Sequence, residues 1–312
     1  MNNFNDPYKP PEDDIDFKEL FLILWNQKFK IITVSFLSAV LGVYMALDIP
    51  NTYTSRAILA GTASSGSNFS QLAGKFGGLA SMVGVTMPQA SADPVSQGIE
   101  RMKSLDFFEH LVTKHNLYIG LQATSGWDRE TNTLIINPQM YDVKNDKWVS
   151  EQLFAVDGKP SLQSAHLAFR SKFGASVIPE SQFVRLTFTH YSPNFAKEIL
   201  DLIILESNNL AKYEDINVAE QSIKFLQNEA NKTQLSDLRF AINSLIQKQV
   251  ETIAMANASP EYLLKTLTAP YAPQLKTGPD RKVIVIIYAL IGFTLLSSFY
   301  LIKHYFFNSK ED

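Results

Sequence analysis

Two long apolar stretches constrain this chain more than any other feature. The first runs from Phe29 to Leu47 with Lys30 as its only charged residue, and the second runs from Val283 to Ile302 without a charge. Each has about the 20 residues that a helix needs to cross a bilayer core. A cleaved signal peptide is the alternative for the first stretch, but the apolar part is too long and no clear cleavage site follows. The pattern predicts transmembrane helices over 29–49 and 283–302.

The charges beside these stretches indicate an orientation. With two spans, both tails share one side of the membrane and the region 50–282 lies on the other. Basic residues near the tails favour cytoplasmic tails over 1–28 and 303–312, although Arg281 and Lys282 on the opposite flank act against this. The supporting residues are Lys28, Lys30, Lys303 and Lys310.

Composition and motifs exclude several classes of function. The formal net charge is −3, from 28 basic and 31 acidic residues, so nucleic acid is not an expected partner. The chain has no cysteine, which excludes disulfides, thiolate metal sites and a cysteine nucleophile. His110 and His115 lie five apart, which is a poor spacing for a metal pair on one helix face. With no phosphate loop, nucleophile motif or zinc motif, we expect no catalytic residue, cofactor or metal.

The region between the spans mixes strand and helix patterns. A strand is predicted at 51–60, a helix from Pro94 with apolar residues at helical spacing, and short β pieces such as "TLIIN" and "QLFAV" in the next sixty residues. Gly, Ser, Ala and Met dominate 61–94, whose role stays open between a loop, a broken helix and a contact with membrane or subunit. The whole chain is predicted to be α+β.

A very long helix is predicted next. After an alternating strand around 183–188, Ser192 and Pro193 are a typical helix start. No glycine or further proline follows until after Ala256, so a continuous helix over about 193–256 would measure roughly 90 Å. One apolar stripe has the spacing of a coiled-coil seam, and a helix of this length cannot be covered by its own chain. We therefore expect a homo-oligomer with contacts at Leu235, Leu238, Ile242 and Leu245.

Three prolines lie between this helix and the second span. Pro270, Pro273 and Pro279 disfavour helix and predict an extended, fairly stiff segment over 268–280, here called the strut. A loop that merely stops a helix remains the alternative for any single proline.

Small residues in the first span could allow a second helix to approach closely. Two pairs lie four residues apart, Ser35 with Ala39 and Ser38 with Gly42. Small residues are common in membrane spans, so chance occurrence is an equal alternative.

The two ends of the chain resemble a known family. The segment "DDIDFKELFLILWNQKFKIITVSFLSAVLGVYMAL" is similar to the N-terminal segment and first span of the Wzz chain-length determinant family, the polysaccharide co-polymerases of bacterial inner membranes. The segment "APYAPQLKTGPDRKVIVIIYALIGFTLL" resembles the Pro-rich motif and second span of that family. The central region is similar in architecture only.

This resemblance implies a function without catalysis. It implies a homo-oligomer with a periplasmic bulk and a membrane-proximal α/β base. Its partners would be a Wzy-type polymerase and a lipid-linked glycan, and it would set the length of O-antigen or a related polysaccharide. The two rival functions are a capsule or exopolysaccharide export adaptor and a two-span periplasmic sensor. Tails of about 28 and 10 residues leave room for neither a fused kinase nor an output module.

Overall fold

The structure is a computed structural model that describes residues 17–62, 94–149, 159–304 and 306. Most of the Gly- and Ser-rich segment and the "QLFAV" strand prediction lie outside these residues. The chain divides into two compact units, one made of Met1–Pro50 with Gly278–Asp312 and the other of Asn51–Thr277. They are called the helical unit and the central unit.

Nine helices and eight strands occur within the described ranges. The helices are α1 Phe17–Asn26, α2 Lys28–Asp48, α3 Pro94–Met102, α4 Leu105–Lys114, α5 Tyr118–Gln122, α6 Leu162–Lys172, α7 Pro193–Lys232, α8 Ser236–Ala258 and α9 Arg281–Lys303. The strands are β1 Tyr53–Gly61, β2 Thr124–Asp128, β3 Thr133–Ile136, β4 Tyr141–Asp142, β5 Lys147–Trp148, β6 Phe173–Val177, β7 Val184–His190 and β8 Leu264–Thr268. The mixed fold class is confirmed.

The helical unit consists of α1, α2 and α9. Helices α2 and α9 have 21 and 23 residues and are long and apolar enough to cross a membrane. In the most apolar 18-residue stretch of each helix, only 17% of α2 and 11% of α9 is buried. A core helix of a soluble protein would be mostly buried. Most side chains of both helices are therefore exposed in the protein, as expected for helices surrounded by lipid. The prediction of two apolar terminal helices is confirmed.

A four-stranded antiparallel sheet organises the central unit. Its order is β6-β7-β1-β8, and β1 pairs with β7 so that Ala57 lies opposite Leu186. Because side chains alternate along a strand, Val184, Leu186 and Phe188 all point to one face, where they are fully buried. The alternation predicted for this strand is therefore observed.

Helices cover that face of the sheet. The first half of α7 contributes Ile199, Leu200 and Ile203, each fully buried in the same apolar cluster as the sheet residues. Phe108 of α4 and Phe169 of α6 complete the cluster, with ring centroids 5.1 Å apart. Helix α7 begins as predicted, since the Ser192 side chain accepts a hydrogen bond from the Phe195 backbone N–H and Pro193 occupies the first turn.

The long helix is not continuous, which corrects the prediction of one helix over about 193–256. Helix α7 ends at Lys232 after 40 residues, about 60 Å, and α8 begins at Ser236 and turns back along it. Folding back buries Ala219, Ile242 and Ala256, which a straight helix would leave in water. This burial outweighs the hydrogen bonds lost at the break, and the Arg239 guanidinium donates to the freed Thr233 carbonyl over 3.3 Å.

The helix predicted from Pro94 is also two helices. Helix α3 ends at Met102, and Ser104 caps α4 by accepting a hydrogen bond from the Phe107 N–H. The break lets both helices turn buried apolar residues toward the same cluster, among them Ile99 and Leu111.

Candidate functional site

The two apolar helices of the helical unit pack closely through small residues. A Cβ placed on Gly42 would lie 2.7 Å from the Tyr288 Cβ, and one placed on Gly292 would lie 2.7 Å from the Ser38 Cβ. Real Cβ contacts are not that short, so both glycines are required by the approach of α2 to α9. The Ser38 hydroxyl donates to the Tyr288 carbonyl oxygen over 2.7 Å.

The other small residues of α2 lie on the same side of the helix. Ser35 and Ala39 are half-buried, and Ala46 one turn beyond Gly42 is buried. Small residues allow helix backbones to approach in lipid, where packing rather than water exclusion drives association. The structure thus places Ser35, Ser38 and Gly42 against α9, with Ala39 half-buried on the same side of α2. At the end of this contact, the Arg281 guanidinium donates to the Ala46 carbonyl over 2.9 Å.

The strut is extended and lies along β1 in the central unit. The Ser55 hydroxyl donates to the Tyr271 carbonyl over 2.8 Å, and the Thr277 N–H donates to the Thr52 carbonyl over 2.8 Å. The Thr54 N–H donates to the Thr277 hydroxyl over 3.0 Å. Pro270 is buried and Pro273 is half-buried, and neither lies in a helix. Pro279, in the helical unit, is half-buried directly before α9.

The predicted oligomer stripe does not form one surface. Ile242 is 7% exposed because it packs within its own chain, and Leu245 is half-buried. Leu235 lies in the break between α7 and α8, with 69% of its surface exposed, and Leu238 is 47% exposed. Ile242 is therefore corrected from a subunit contact to a contact within the chain. Leu235 and Leu238 remain available to a second copy.

A buried carboxylate that sequence reasoning missed joins α7 to α4. Glu206 is 1% exposed, and one carboxylate oxygen accepts from His110 Nε2 at 2.8 Å and from Lys114 Nζ at 2.9 Å. The other oxygen accepts from His115 Nε2 at 3.0 Å. His110 and His115, whose spacing is poor for a metal pair, both make hydrogen bonds to this side chain. These four residues are called the Glu206 cluster.

The cluster keeps Glu206 ionised inside the fold. Burial opposes ionisation, but the hydrogen bonds from Lys114, His110 and His115 outweigh it and lower the pKa of Glu206 from 4.5 to about 2. The sequence carried a signal, because Glu206 lies three residues after Ile203 on the face that buries Ile199 and Ile203. A charge on such a face needs partners.

A buried amide fixes the strand that precedes the strut. Asn208 is 3% exposed, and its side-chain oxygen accepts from the Leu263 and Leu264 N–H groups at 2.8 and 2.9 Å. Its side-chain nitrogen donates to the Leu264 carbonyl over 3.1 Å. Helix α7 is therefore tied directly to the start of β8.

The described ranges contain no group of three or more His, Cys, Asp or Glu side chains arranged to hold a metal ion. Of the acidic residues in the N-terminal tail, Glu12, Asp13, Asp14 and Asp16 lie outside these ranges. The Glu206 cluster has the contacts of an ion-pair network rather than of a metal centre.

Comparison with known families identifies the N-terminal part of the chain. Residues 13–115 match the model of the family described as "Wzz: Chain length determinant protein". The resemblance to the Wzz family is confirmed. The match covers about a third of the chain and extends from before α1 to the end of α4. It therefore includes the first apolar helix, strand β1 and both histidines of the Glu206 cluster.

Solved structures of polysaccharide co-polymerases are also similar to this chain. One is a full-length bacterial polysaccharide co-polymerase, with 13% identity and a TM-score of 0.39, covering 95% of this chain and 100% of that one. Another is a fragment of WzzB from Salmonella Typhimurium, with 12% identity and a TM-score of 0.34, covering 73% of this chain and 100% of that one. Both TM-scores lie below 0.5, so the resemblance to the Wzz family depends on the sequence match of residues 13–115. A search of curated protein sequences finds no match.

Proposed function

We propose that this chain is a non-catalytic inner-membrane regulator of polysaccharide chain length. It would act as a homo-oligomer beside a Wzy-type polymerase on O-antigen or a related lipopolysaccharide glycan. The observation that carries the proposal is the match of residues 13–115 to the chain length determinant family. The two apolar helices supply the membrane anchor that such a regulator needs.

The helical hairpin of α7 and α8 supports the oligomeric part of the proposal. Large apolar side chains are exposed along it, including Phe225 at 64%, Leu235 at 69% and Phe240 at 75%. These residues lie in the central unit, beyond the predicted membrane spans. Exposed apolar surface of this kind on a soluble part is typical of a site for association. A second copy of the chain is the occupant that we propose.

The charges flanking the spans support the proposed orientation. The lysines near both tails favour cytoplasmic tails, which would place the central unit in the periplasm. A glycan-polymerising partner that acts on lipid-linked repeat units outside the cytoplasm would then meet the central unit.

Deletion of the gene tests the proposal. Lipopolysaccharide from the deletion strain and from the complemented strain would be separated on a gel and stained for glycan. Loss of a chain length regulator should replace a modal band cluster with a broad, short-biased ladder, while total polymer persists. Complementation with the full chain should restore the mode.

Two other results would favour the rival functions. Loss of all surface polymer in the deletion strain would indicate an export adaptor. The wild-type strain must first be shown to contain abundant, membrane-inserted protein. If the deletion strain then gives the same ladder as the wild type, regulation of chain length is refuted and a sensor is the better interpretation.

A further inference from the structure

The central unit contains a pocket that involves neither the strut nor the break between α7 and α8. It is lined by the outer face of α4, the turn after it, the β4–β5 hairpin and the residues that lead into α6. Its volume is about 750 Å³, within the range of roughly 300 to 1,000 Å³ that is usual for small-ligand sites. We call it the Trp148 pocket.

Aromatic rings hold Trp148 rigidly at this pocket. The Trp148 ring meets the Tyr118 ring at 87° with centroids 5.6 Å apart, and the Tyr141 ring at 70° with centroids 5.1 Å apart. Both tyrosines are nearly buried, and their hydroxyls donate to the Pro160 carbonyl and to Asp146. Trp148 itself is only half-buried and lines the pocket. Its position is fixed before any ligand arrives, which reduces the entropy cost of binding.

Polar side chains with unused hydrogen-bonding capacity surround the indole. Among the described residues, Glu109, Asn116 and Lys147 make no side-chain hydrogen bond, although all three line the pocket. The Lys159 amine lies 4.1 Å from the centre of the Tyr118 ring. The rim thus offers acceptors, donors and an amide within one concave surface.

The balance of these groups selects a class of ligand. Two acidic residues, Glu109 and Asp146, oppose Lys147 and Lys159, so the pocket does not favour a strongly charged ligand such as a nucleotide. A sugar ring has an apolar C–H face that can lie on an indole and hydroxyls that both donate and accept hydrogen bonds. An aromatic platform within a mixed polar rim suits that combination.

We propose that the Trp148 pocket binds an oligosaccharide segment of the polysaccharide, with one sugar ring stacked on Trp148. This inference rests on the proposed function, since a chain length regulator is the setting in which a growing glycan reaches the central unit. The pocket gives the protein direct contact with the polymer. Hydroxyls of the stacked sugar would bond to Glu109, Asn116 and Lys147.

Binding would be measured with the full-length protein in nanodiscs. The first probe is a set of oligosaccharides released by mild acid from the polysaccharide of the producing cells. The second probe is maltoheptaose, a glucan. Saturation-transfer NMR reports which sugar protons touch the protein and gives the affinity. The variants are Trp148→Ala, Trp148→Phe and Glu109→Gln, with Trp127→Ala as the matched control. Trp127 is also a half-buried tryptophan of the central unit, on β2.

We expect Trp148→Ala to weaken oligosaccharide binding at least ten-fold and Glu109→Gln about three-fold. Trp148→Phe should retain most of the affinity, because it keeps an aromatic face and the packing against both tyrosines. Trp127→Ala should bind as the wild type does. Glu109 is exposed on α4, so its variant folds normally even where Trp148→Ala perturbs the local packing.

Two results would overturn the glycan site. The first is equal oligosaccharide binding by the wild type, Trp148→Ala and Glu109→Gln. The second is the absence of binding of any oligosaccharide by a folded wild-type protein. Either result leaves the proposed function standing if the deletion strain still loses its modal glycan length, so the two failures are distinguishable.

Discussion

Replacing Glu206 with glutamine should destabilise the central unit by about 2 kcal/mol near neutral pH. The carboxylate is 1% exposed and accepts three hydrogen bonds at 2.8 to 3.0 Å. Breaking a buried ion pair commonly costs about 3 to 5 kcal/mol. The partners here are partly exposed, with Lys114 at 49%, His110 at 35% and His115 at 22%, so they can turn toward water and the cost is lower.

The pKa of Glu206 gives a second way to obtain the free energy that its ionised form contributes to stability. A shift from 4.5 to about 2 corresponds to at most about 3 kcal/mol before allowance for screening at the partly exposed partners. Because the folded pKa lies below the unfolded one, the stabilisation is present above pH 4.5 and is lost as the pH falls toward 2. Between pH 5 and pH 3, at most about 2 kcal/mol should disappear from the wild type.

Thermal unfolding of the full-length protein in detergent measures both effects. At pH 7 the melting temperature of Glu206→Gln should lie about 4 to 8 °C below that of the wild type, since 1 kcal/mol shifts a unit of this size by about 2 to 4 °C. This difference in melting temperature should become smaller between pH 5 and pH 3, because glutamine resembles the protonated glutamic acid side chain.

Glu229→Gln is the matched control for this experiment. Glu229 lies on the same helix α7 and pairs with Lys232 at 2.7 Å, but both side chains are exposed to water. Exposed pairs contribute little, about 0 to 1 kcal/mol. A Glu206→Gln variant that melts within 1 °C of the wild type at pH 7, or a gap that widens on acidification, would refute the reasoning.

Four further predictions follow from the two units. A phosphatase active only outside the cytoplasm, fused after Tyr191, should be active, and inactivity there would reverse the topology. Gly292→Leu should loosen the α2–α9 contact by about 1 to 3 kcal/mol and reduce the amount of folded protein in membranes, whereas Ser298→Leu on the exposed side of α9 should not. Leu238→Asp should weaken chemical crosslinking into oligomers more than Asn243→Asp on the same helix, and equal ladders would remove Leu238 from the interface. Alanine in place of the three prolines of the strut should leave membrane abundance unchanged and broaden the glycan length distribution, and an unchanged mode would return them to the role of helix stop.

Structural elements that depend on neighbouring residues could be predicted from the sequence. The apolar helices α2 and α9 follow from run length, the alternation of β7 from its period of two, and the start of α7 from the capping residue Ser192. Each of these depends on a few neighbouring residues, so one sequence is enough.

The break between α7 and α8 was not predictable in the same way. No glycine or proline marks the residues around Thr233, and the weak helix formers there, Asn231, Thr233, Ser236 and Asp237, do not by themselves stop a helix. The break is decided by the burial of residues that are far apart in the sequence, such as Ala219 and Ala256. Local helix propensity carries no information about such burial. The Asp237 side chain in the first turn of α8 is a helix-start signal, but by itself it is too common to be decisive.

The Glu206 cluster shows a similar limit. The spacing of His110 and His115 is wrong for a metal pair on one ideal helix face, and this spacing carries no information about a partner elsewhere in the chain. His115 lies just past the end of α4, where the chain has left the helix and can reach the second carboxylate oxygen. The partner comes from α7, more than ninety residues away, so only the tertiary fold brings the three together.

The position of the strut gives its prolines a role beyond stiffness. Strand β8 is at the edge of the sheet, and the strut continues along β1 from that edge. An exposed edge strand offers unpaired N–H groups to the strand of another chain, and natural proteins commonly block such edges with proline. Pro270 and Pro273 have no N–H to offer. Strand pairing with another chain through this edge of the sheet is thereby disfavoured.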